Sequence, residues 1–312
     1  MSRTYFQPTA LEEALQIRRD NSEASLLAGG TDLVVAMRHD RGPAGDLIDL
    51  SKIMELKGIH EISDSNHKAV GCIHETTNCV HEKAGSIRIG PMSTFTEIME
   101  SQLLREAAGI LCEAAETVGS PQIRNRGTIG GNLCNASAAA DCIPPLLCLN
   151  AAVELLSLGS DGSKCIRILP LEMFLLDSKK TDIRSDEILT GIFFQRSAGD
   201  MGFAFQKIGR RNALAIARLN GSCAIRLNGN TVTSLSFALG AATSKPERIE
   251  SAEEYLKGRE LTDEALTAAG KRAAEYVLEK TGVRASSSYK LPVIERFTAS
   301  LIRAAAERKT EI

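Results

Sequence analysis

The sequence predicts an α+β protein: a two-part α/β region, then a three-stranded antiparallel sheet with a helical C-terminal bundle. Three observations lead there. Two glycine-rich runs, Ala28-Gly29-Gly30-Thr31-Asp32-Leu33 and Thr128-Ile129-Gly130-Gly131-Asn132, sit a hundred residues apart in the first half. The composition shifts after about Arg196 to long strand-like runs, with Asn228-Gly229 as a two-residue hairpin signal. Three helical patterns then close the chain. The expected divisions are 1–52 and 53–195 for the two α/β parts and 196–312 for the C-terminal domain.

In the first part, Thr9-Ala10-Leu11-Glu12 has the form of a capping box, which satisfies free N–H groups at a helix start. Leu11, Ala14, Leu15 and Ile17 give that helix its apolar stripe. Ala24 to Leu27 is a short apolar run ending in the first glycine run. Asp32 is placed to cap a helix whose Leu33, Val34, Ala36 and Met37 pack inward. Asp46 to Leu50 alternates as a strand, and this subdomain ends near Lys52. In the second part, Ser86 to Gly90 reads as a strand, and Thr94 or Thr96 caps a helix through Met99. A longer helix over Leu103 to Val118 carries Leu104, Ala107, Ala108, Leu111, Ala115 and Val118 at helical spacing. Val153–Leu158, a Gly159-Ser160-Asp161-Gly162 turn and Cys165–Leu169 read as a hairpin. Beyond Arg196, strands are expected over Gly202–Ile208, Ala213–Leu227 and Thr231–Leu239, and helices over Pro246–Leu256, Thr262–Thr281 and Leu291–Arg308.

Composition narrows the function classes. A net charge of −2 argues against nucleic acid, whose binders carry a basic face. No apolar run reaches the length of a membrane span, so no span is expected. The first residues lack an apolar signal core, and a cytoplasmic protein is expected. Eight cysteines without any C-x-x-C spacing fit reduced thiols rather than a disulfide framework, and Cys134, Cys142 and Cys148 near the second run read as small buried hydrophobes. Trp is absent and aromatics are 4%, which disfavours a base-stacking surface.

Paired glycines let backbone approach a bulky anion without a Cβ in the way, and they permit the positive φ that turns successive N–H groups toward one anion. A dinucleotide pyrophosphate is such an anion, and two runs could grip it from both sides. Neither run fits G-x-G-x-x-G or G-x-x-x-x-G-K-[ST], so a nicotinamide Rossmann domain and a P-loop NTPase are not expected. Either run alone also reads as a tight turn.

The wording around the runs goes further. Val118-Gly119-Ser120-Pro121-Gln122-Ile123-Arg124-Asn125-Arg126-Gly127 leads into Thr128, and Ala136 to Asp141 follow closely. With Gly90-Pro91-Met92-Ser93-Thr94 and Phe205 to Arg211 in the same order, the chain resembles the FAD-binding medium subunit of molybdenum hydroxylases: the xanthine, carbon monoxide and nicotinate dehydrogenase family. The resemblance runs from about Tyr5 to Arg303. It implies an FAD domain of the PCMH/vanillyl-alcohol-oxidase-like kind, and FAD lined by Ala28 to Leu33, Val118, Thr128 to Asn132, Asp141, Leu189 and Lys207. Within that set Ile129 sits between Thr128 and Gly130, and Thr31 and Asn132 offer side-chain hydrogen bonds. Asp32 reads either as a helix cap or as an acceptor for a ribityl hydroxyl. Asp141 reads as a partner of ribose or ribityl hydroxyls, or as the cap before Cys142. Leu189 packs near the isoalloxazine or in the core. Lys207, sharing a strand face with Phe203 and Phe205, approaches the flavin and would favour its reduced form. Arg124 and Arg126 balance phosphate charge, make a subunit contact, or form a solvated pair. No catalytic acid or base is required.

The resemblance also implies partners: a [2Fe-2S] iron–sulfur subunit, a molybdopterin-binding large subunit, and NAD+ or another electron acceptor. Only eight residues separate Asn132 from Asp141, where some members hold an iron–sulfur insertion, so no cluster is expected in this chain. Two departures stand out. Some members place a tyrosine over one flavin face after the Phe174-Leu175 segment; here the stretch is Leu176-Asp177-Ser178-Lys179-Lys180-Thr181. The chain also has extra length between Ile62 and Ser86. There Cys72, His74, Cys79 and His81 would share one face of a hairpin, a zinc-type ligand set if a metal binds and a plain surface hairpin otherwise. Two other readings of the whole remain open: a stand-alone FAD-dependent oxidase or reductase of the same fold, and a non-catalytic binding or metal-carrier module.

Overall fold

The strand Leu47–Asp49 is flanked in parallel by Tyr5–Phe6 and Ser25–Leu27. A central parallel strand is covered on both faces, and all three of its residues are buried. The computed structural model describes residues 3–43, 45–62, 72–74, 85–196, 199–211 and 214–308, with backbone alone for 72–74. They form two units: Met1–Leu103, Ser120–Asn135 and Asn150–Arg196 make the first, and Leu104–Gly119, Ala136–Leu149 and Ser197–Ile312 the second. Two stretches of the 53–195 segment therefore fold with the C-terminal residues.

In the first unit the helix Leu11–Asp20 buries Ala14 and Leu15, with Leu11 and Ile17 packed at the edge of the same core. Its expected capping box is replaced. Ala10 holds the cap position without a side-chain bond, and the Glu13 carboxylate accepts the Thr9 N–H at 3.0 Å. Leu11 donates its N–H to Glu55 at 3.3 Å, so a tertiary contact substitutes for the local cap. A six-stranded sheet follows, in the order Ile59–Glu61, Ser86–Ile89, Ile188–Gln195, Ala152–Leu158, Lys164–Pro170, Cys72–His74. All neighbours are antiparallel except the last pair, where Cys72 stands opposite Cys165. The Cys72/His74/Cys79/His81 hairpin otherwise lies outside the described residues. The expected hairpin of Ala152–Leu158 and Lys164–Pro170 is present. Thr94 caps Phe95–Glu100 in a complete capping box with Glu97.

In the second unit Met201–Ile208, Leu219–Asn228 and Thr231–Gly240 form the expected antiparallel meander, and Glu247–Arg248 adds a short fourth strand. The helix expected from Pro246 therefore starts at Glu250. The hairpin turn is Gly229-Asn230, one residue later than Asn228-Gly229, because Asn228 pairs with Thr231. Asp263–Thr281 and Ser287–Glu307 cover the sheet, burying Leu266, Ala273, Phe297 and Leu301 with Phe237 of the third strand. The helix Gln102–Glu116 is bent at Ala108, whose φ of −161° and ψ of 53° interrupt it. All six residues of Ile143–Cys148 are buried, and this helix packs on Thr231–Gly240. No helix among the described residues is long and apolar enough to cross a membrane.

Candidate functional site

The first glycine run leaves the strand Ser25–Leu27 and enters the helix Leu33–Arg38. Gly30 has φ +74°, the left-handed region that favours glycine. A Cβ on Gly29 would fall 1.9 Å from the Arg126 carbonyl oxygen, so the run lies directly on the backbone that leads into the second run. Among the described residues, the N–H groups of Gly29, Gly30, Thr31, Asp32 and Leu33 meet no protein acceptor. Asp32 occupies the cap position but its side chain makes no cap bond. The inward packing expected of Leu33, Val34, Ala36 and Met37 is not found. No residue of that helix is buried, and Val34 and Val35 are 37% and 50% exposed.

The second run is built differently. Ser120 caps Pro121–Arg124, the chain turns through Arg126 and Gly127, and Ile129–Asn135 is helical. Its leading donors are all taken inside the unit. Ile129 donates to Ser93 O at 3.0 Å, Gly130 to Pro91 O at 2.8 Å, and Asn132 to Thr128 O at 3.0 Å. Gly131 donates to the buried Thr128 Oγ1 at 3.1 Å. Successive N–H groups without a protein acceptor are thus a property of the first run and not of the second. Neither Gly130 nor Gly131 has a positive φ. A Cβ on Gly130 would meet Pro91 at 2.5 Å and its carbonyl oxygen at 2.7 Å. A Cβ on Gly131 would meet only Thr128 Oγ1 at 3.0 Å and Ala28 Cβ at 3.7 Å. Packing therefore explains Gly29 and Gly130, and backbone conformation explains Gly30, but the protein itself does not demand a glycine at 131. Asn132 Oδ1 is buried without a hydrogen-bond partner.

Leu189 is 4% exposed, next to a register shift that leaves Thr190 unpaired in the central strand. The stretch where the resemblance leads one to expect a tyrosine forms a small hairpin of Leu175–Asp177 and Lys180–Thr181, beside the helix Ile129–Asn135. Leu176 there is 45% exposed.

In the second unit Val118, half-buried, closes a helical turn onto Ala115 O. Asp141 and Lys207 face each other. Lys207 Nζ donates to Asp141 Oδ2 at 2.5 Å and to Thr117 O at 3.0 Å. Asn220, the cross-strand partner of Lys207, donates from Nδ2 to Asp141 Oδ1 at 2.8 Å and to Ala140 O at 3.2 Å. Asp141 therefore does not cap the following helix; Cys142 holds that position without a side-chain cap. Burial raises the Asp141 carboxyl above its ordinary value, and the Lys207 ammonium and Asn220 amide pull against that rise. Asn220 was not among the site residues read from sequence; its signal was a lone amide inside an apolar strand run.

Residues 1–194 match the FAD binding domain in molybdopterin dehydrogenase, and residues 203–305 the CO dehydrogenase flavoprotein C-terminal domain. The chain is 32% identical over 291 residues to the nicotinate dehydrogenase FAD-subunit of Eubacterium barkeri, covering 92% of this chain and 90% of that one. It is 29% identical over 300 residues to the xanthine dehydrogenase FAD-binding subunit of Escherichia coli O157:H7, covering 96% and 94%. Its fold matches a chain of carbon monoxide dehydrogenase from Hydrogenophaga pseudoflava with a TM-score of 0.84 at 26% identity, over 99% of each chain. The chain belongs to the family of FAD-binding subunits of molybdopterin dehydrogenases. FAD is its cofactor, and it is an oxidoreductase subunit with an electron-transfer role.

Proposed function

We propose that this chain carries electrons from the iron–sulfur clusters of a [2Fe-2S] partner subunit, filled by a molybdopterin-binding large subunit, to NAD+ or another acceptor. The observation that carries the site reading is the row of unclaimed N–H groups from Gly29 to Leu33. Backbone donors without acceptors fit a pyrophosphate, as does the surface at Gly131 that a Cβ would fill. The orphaned Asn132 Oδ1 suits a hydroxyl donor, such as a cofactor hydroxyl.

Bound FAD supplies the redox chemistry, taking up electrons singly and releasing them in pairs. The chain's own residues hold and tune. Ala28 to Leu33 wrap the pyrophosphate with backbone donors, and the Thr31 hydroxyl adds another. Asp32, free of any capping bond, accepts from a cofactor hydroxyl. Thr128 and Ile129 fix the helix start, Gly131 allows close approach, and Asn132 accepts a hydrogen bond. By the resemblance, Leu189 in the first unit and Val118, Asp141 and Lys207 in the second are the further candidate contacts for FAD. The six described cysteines assigned as free thiols support a reducing, cytoplasmic setting.

Native mass spectrometry of the complex isolated from its own cells tests this reading. One FAD per chain, one [2Fe-2S] subunit and one molybdopterin subunit are expected. Flavin in a complex of this chain alone, with substrate turnover, would favour the stand-alone oxidase. Failure to take up FAD on reconstitution would favour the non-catalytic module.

A further inference from the structure

Asn220 is fully buried, yet its Oδ1 has no partner. A Cβ on Gly240 would fall 2.1 Å from that oxygen, so the neighbouring strand leaves out a side chain to seat the amide. An aliphatic residue would fill this place without an orphaned acceptor. What it would lack are the two donors, one on Asp141 Oδ1 and one on the adjoining Ala140 carbonyl. Lys207 approaches the other carboxylate oxygen from the opposite register position. Among the described residues, the other titratable groups around this carboxylate are the thiols of Cys142 and, beyond it, Cys112. Burial pushes Cys142 well above its ordinary range and Cys112 up to about 11, so neither changes charge near neutrality.

We propose that Asn220 is a positioning residue for this ion pair: its amide holds Asp141 Oδ1, keeps the carboxylate ionised and leaves Oδ2 to Lys207, so the flavin meets a neutral pair and not a bare ammonium. The proposal rests on the reading that Asp141 and Lys207 serve the flavin. Without the amide donor, a buried carboxylate loses one of its two stabilising partners and takes up a proton more readily. The pair then carries a net positive charge, which favours the more negative, reduced flavin.

The test uses the FAD-loaded chain, with infrared spectroscopy of the Asp141 carboxyl and spectroelectrochemical titration of the flavin. Asn220→Leu is expected to show a protonated Asp141 at neutral pH and a raised midpoint potential. Asn220→Asp supplies a donor only while its new carboxyl is protonated. It should match the wild-type midpoint at low pH and fall below it as pH rises, and it serves alone if Asn220→Leu does not fold. A merely structural role would not produce this pH-dependent recovery. Wild-type carboxyl bands and midpoints in both variants would overturn the proposal. A shifted carboxyl band with an unchanged midpoint would also overturn it, by removing the pair from the flavin. Retained FAD in that case would leave the FAD-subunit reading standing.

Discussion

Lys207→Met is expected to destabilise the second unit of the FAD-free protein by about 3–5 kcal/mol at neutral pH, the usual cost of removing one partner from a buried ion pair. Methionine keeps most of the stem volume, so the loss is electrostatic. Asp141 would remain 7% exposed with Asn220 as its one side-chain donor, and Thr117 O would lose its ammonium. The effect should depend on pH in a definite direction. Asp141 has its pKa raised in the folded state, so between its unfolded and folded values the folded chain binds more protons. Its contribution to stability is fully present below the unfolded value and is lost as pH rises through the folded one. Removing the ammonium raises the folded value further, so the variant should regain part of its deficit as pH falls from neutral. Three of the four tyrosines, Tyr255, Tyr276 and Tyr289, lie in the second unit, so urea unfolding followed by tyrosine fluorescence reports on it. A deficit under about 1 kcal/mol would mean the pair is worth no more than a surface contact.

Adjacent glycines in the second run should respond in opposite ways. Gly130→Ala places a Cβ 2.5 Å from a proline carbon and 2.7 Å from the carbonyl that accepts its own N–H. Neither atom belongs to a flexible side chain, so the helix start must shift, costing about 1–3 kcal/mol of stability in the FAD-free protein. Gly131→Ala places a Cβ 3.0 Å from Thr128 Oγ1 and 3.7 Å from Ala28 Cβ, side-chain atoms that need give by only a few tenths of an ångström. Alanine is a better helix former than glycine by about 1 kcal/mol, so the FAD-free variant should be as stable as wild type or slightly more. Its FAD affinity should nevertheless fall about 10- to 100-fold, since a methyl group forced into a close-packed contact costs about 1–3 kcal/mol. Thermal melts without FAD and fluorescence titrations with it measure both arms. Unchanged affinity in Gly131→Ala would leave its glycine without a ligand to explain it.

The features legible in the sequence were those specified locally. The helix start at Thr94 or Thr96, the Gly159–Gly162 turn and the C-terminal meander all carry their signals within a few residues, and the structure puts the cap at Thr94. What was not legible depends on distant backbone. The acceptors that occupy the second run are main-chain carbonyls of Pro91 and Ser93, and the atom beneath Gly29 is the Arg126 carbonyl. Carbonyls leave no mark in residue identity, so the two runs looked equivalent. The central strand Ile188–Gln195 was missed because burial on both faces gives a continuous apolar run, which lacks the alternation of a half-buried strand. The hairpin turn slipped by one residue because a glycine also serves at the first central position of a two-residue turn: Gly229 alone takes the left-handed backbone, with φ +59°. A register irregularity at Arg226/Leu227 accompanies the shift. Lys207 was read correctly as an unusual cation on a strand, but its carboxylate partner lies 66 residues away.

The first glycine run is expected to supply the backbone donors for FAD while the second holds its own donors internally. Amide hydrogen exchange of the chain with and without FAD tests it most directly, because exchange reports whether each N–H has an acceptor. The amides of Gly29 to Leu33 should exchange fast in the FAD-free chain and become protected when FAD binds, whereas those of Ile129 to Asn132 should be slow in both states. Unchanged exchange at Gly29 to Leu33 on FAD binding, or new protection confined to Ile129 to Asn132, would contradict it.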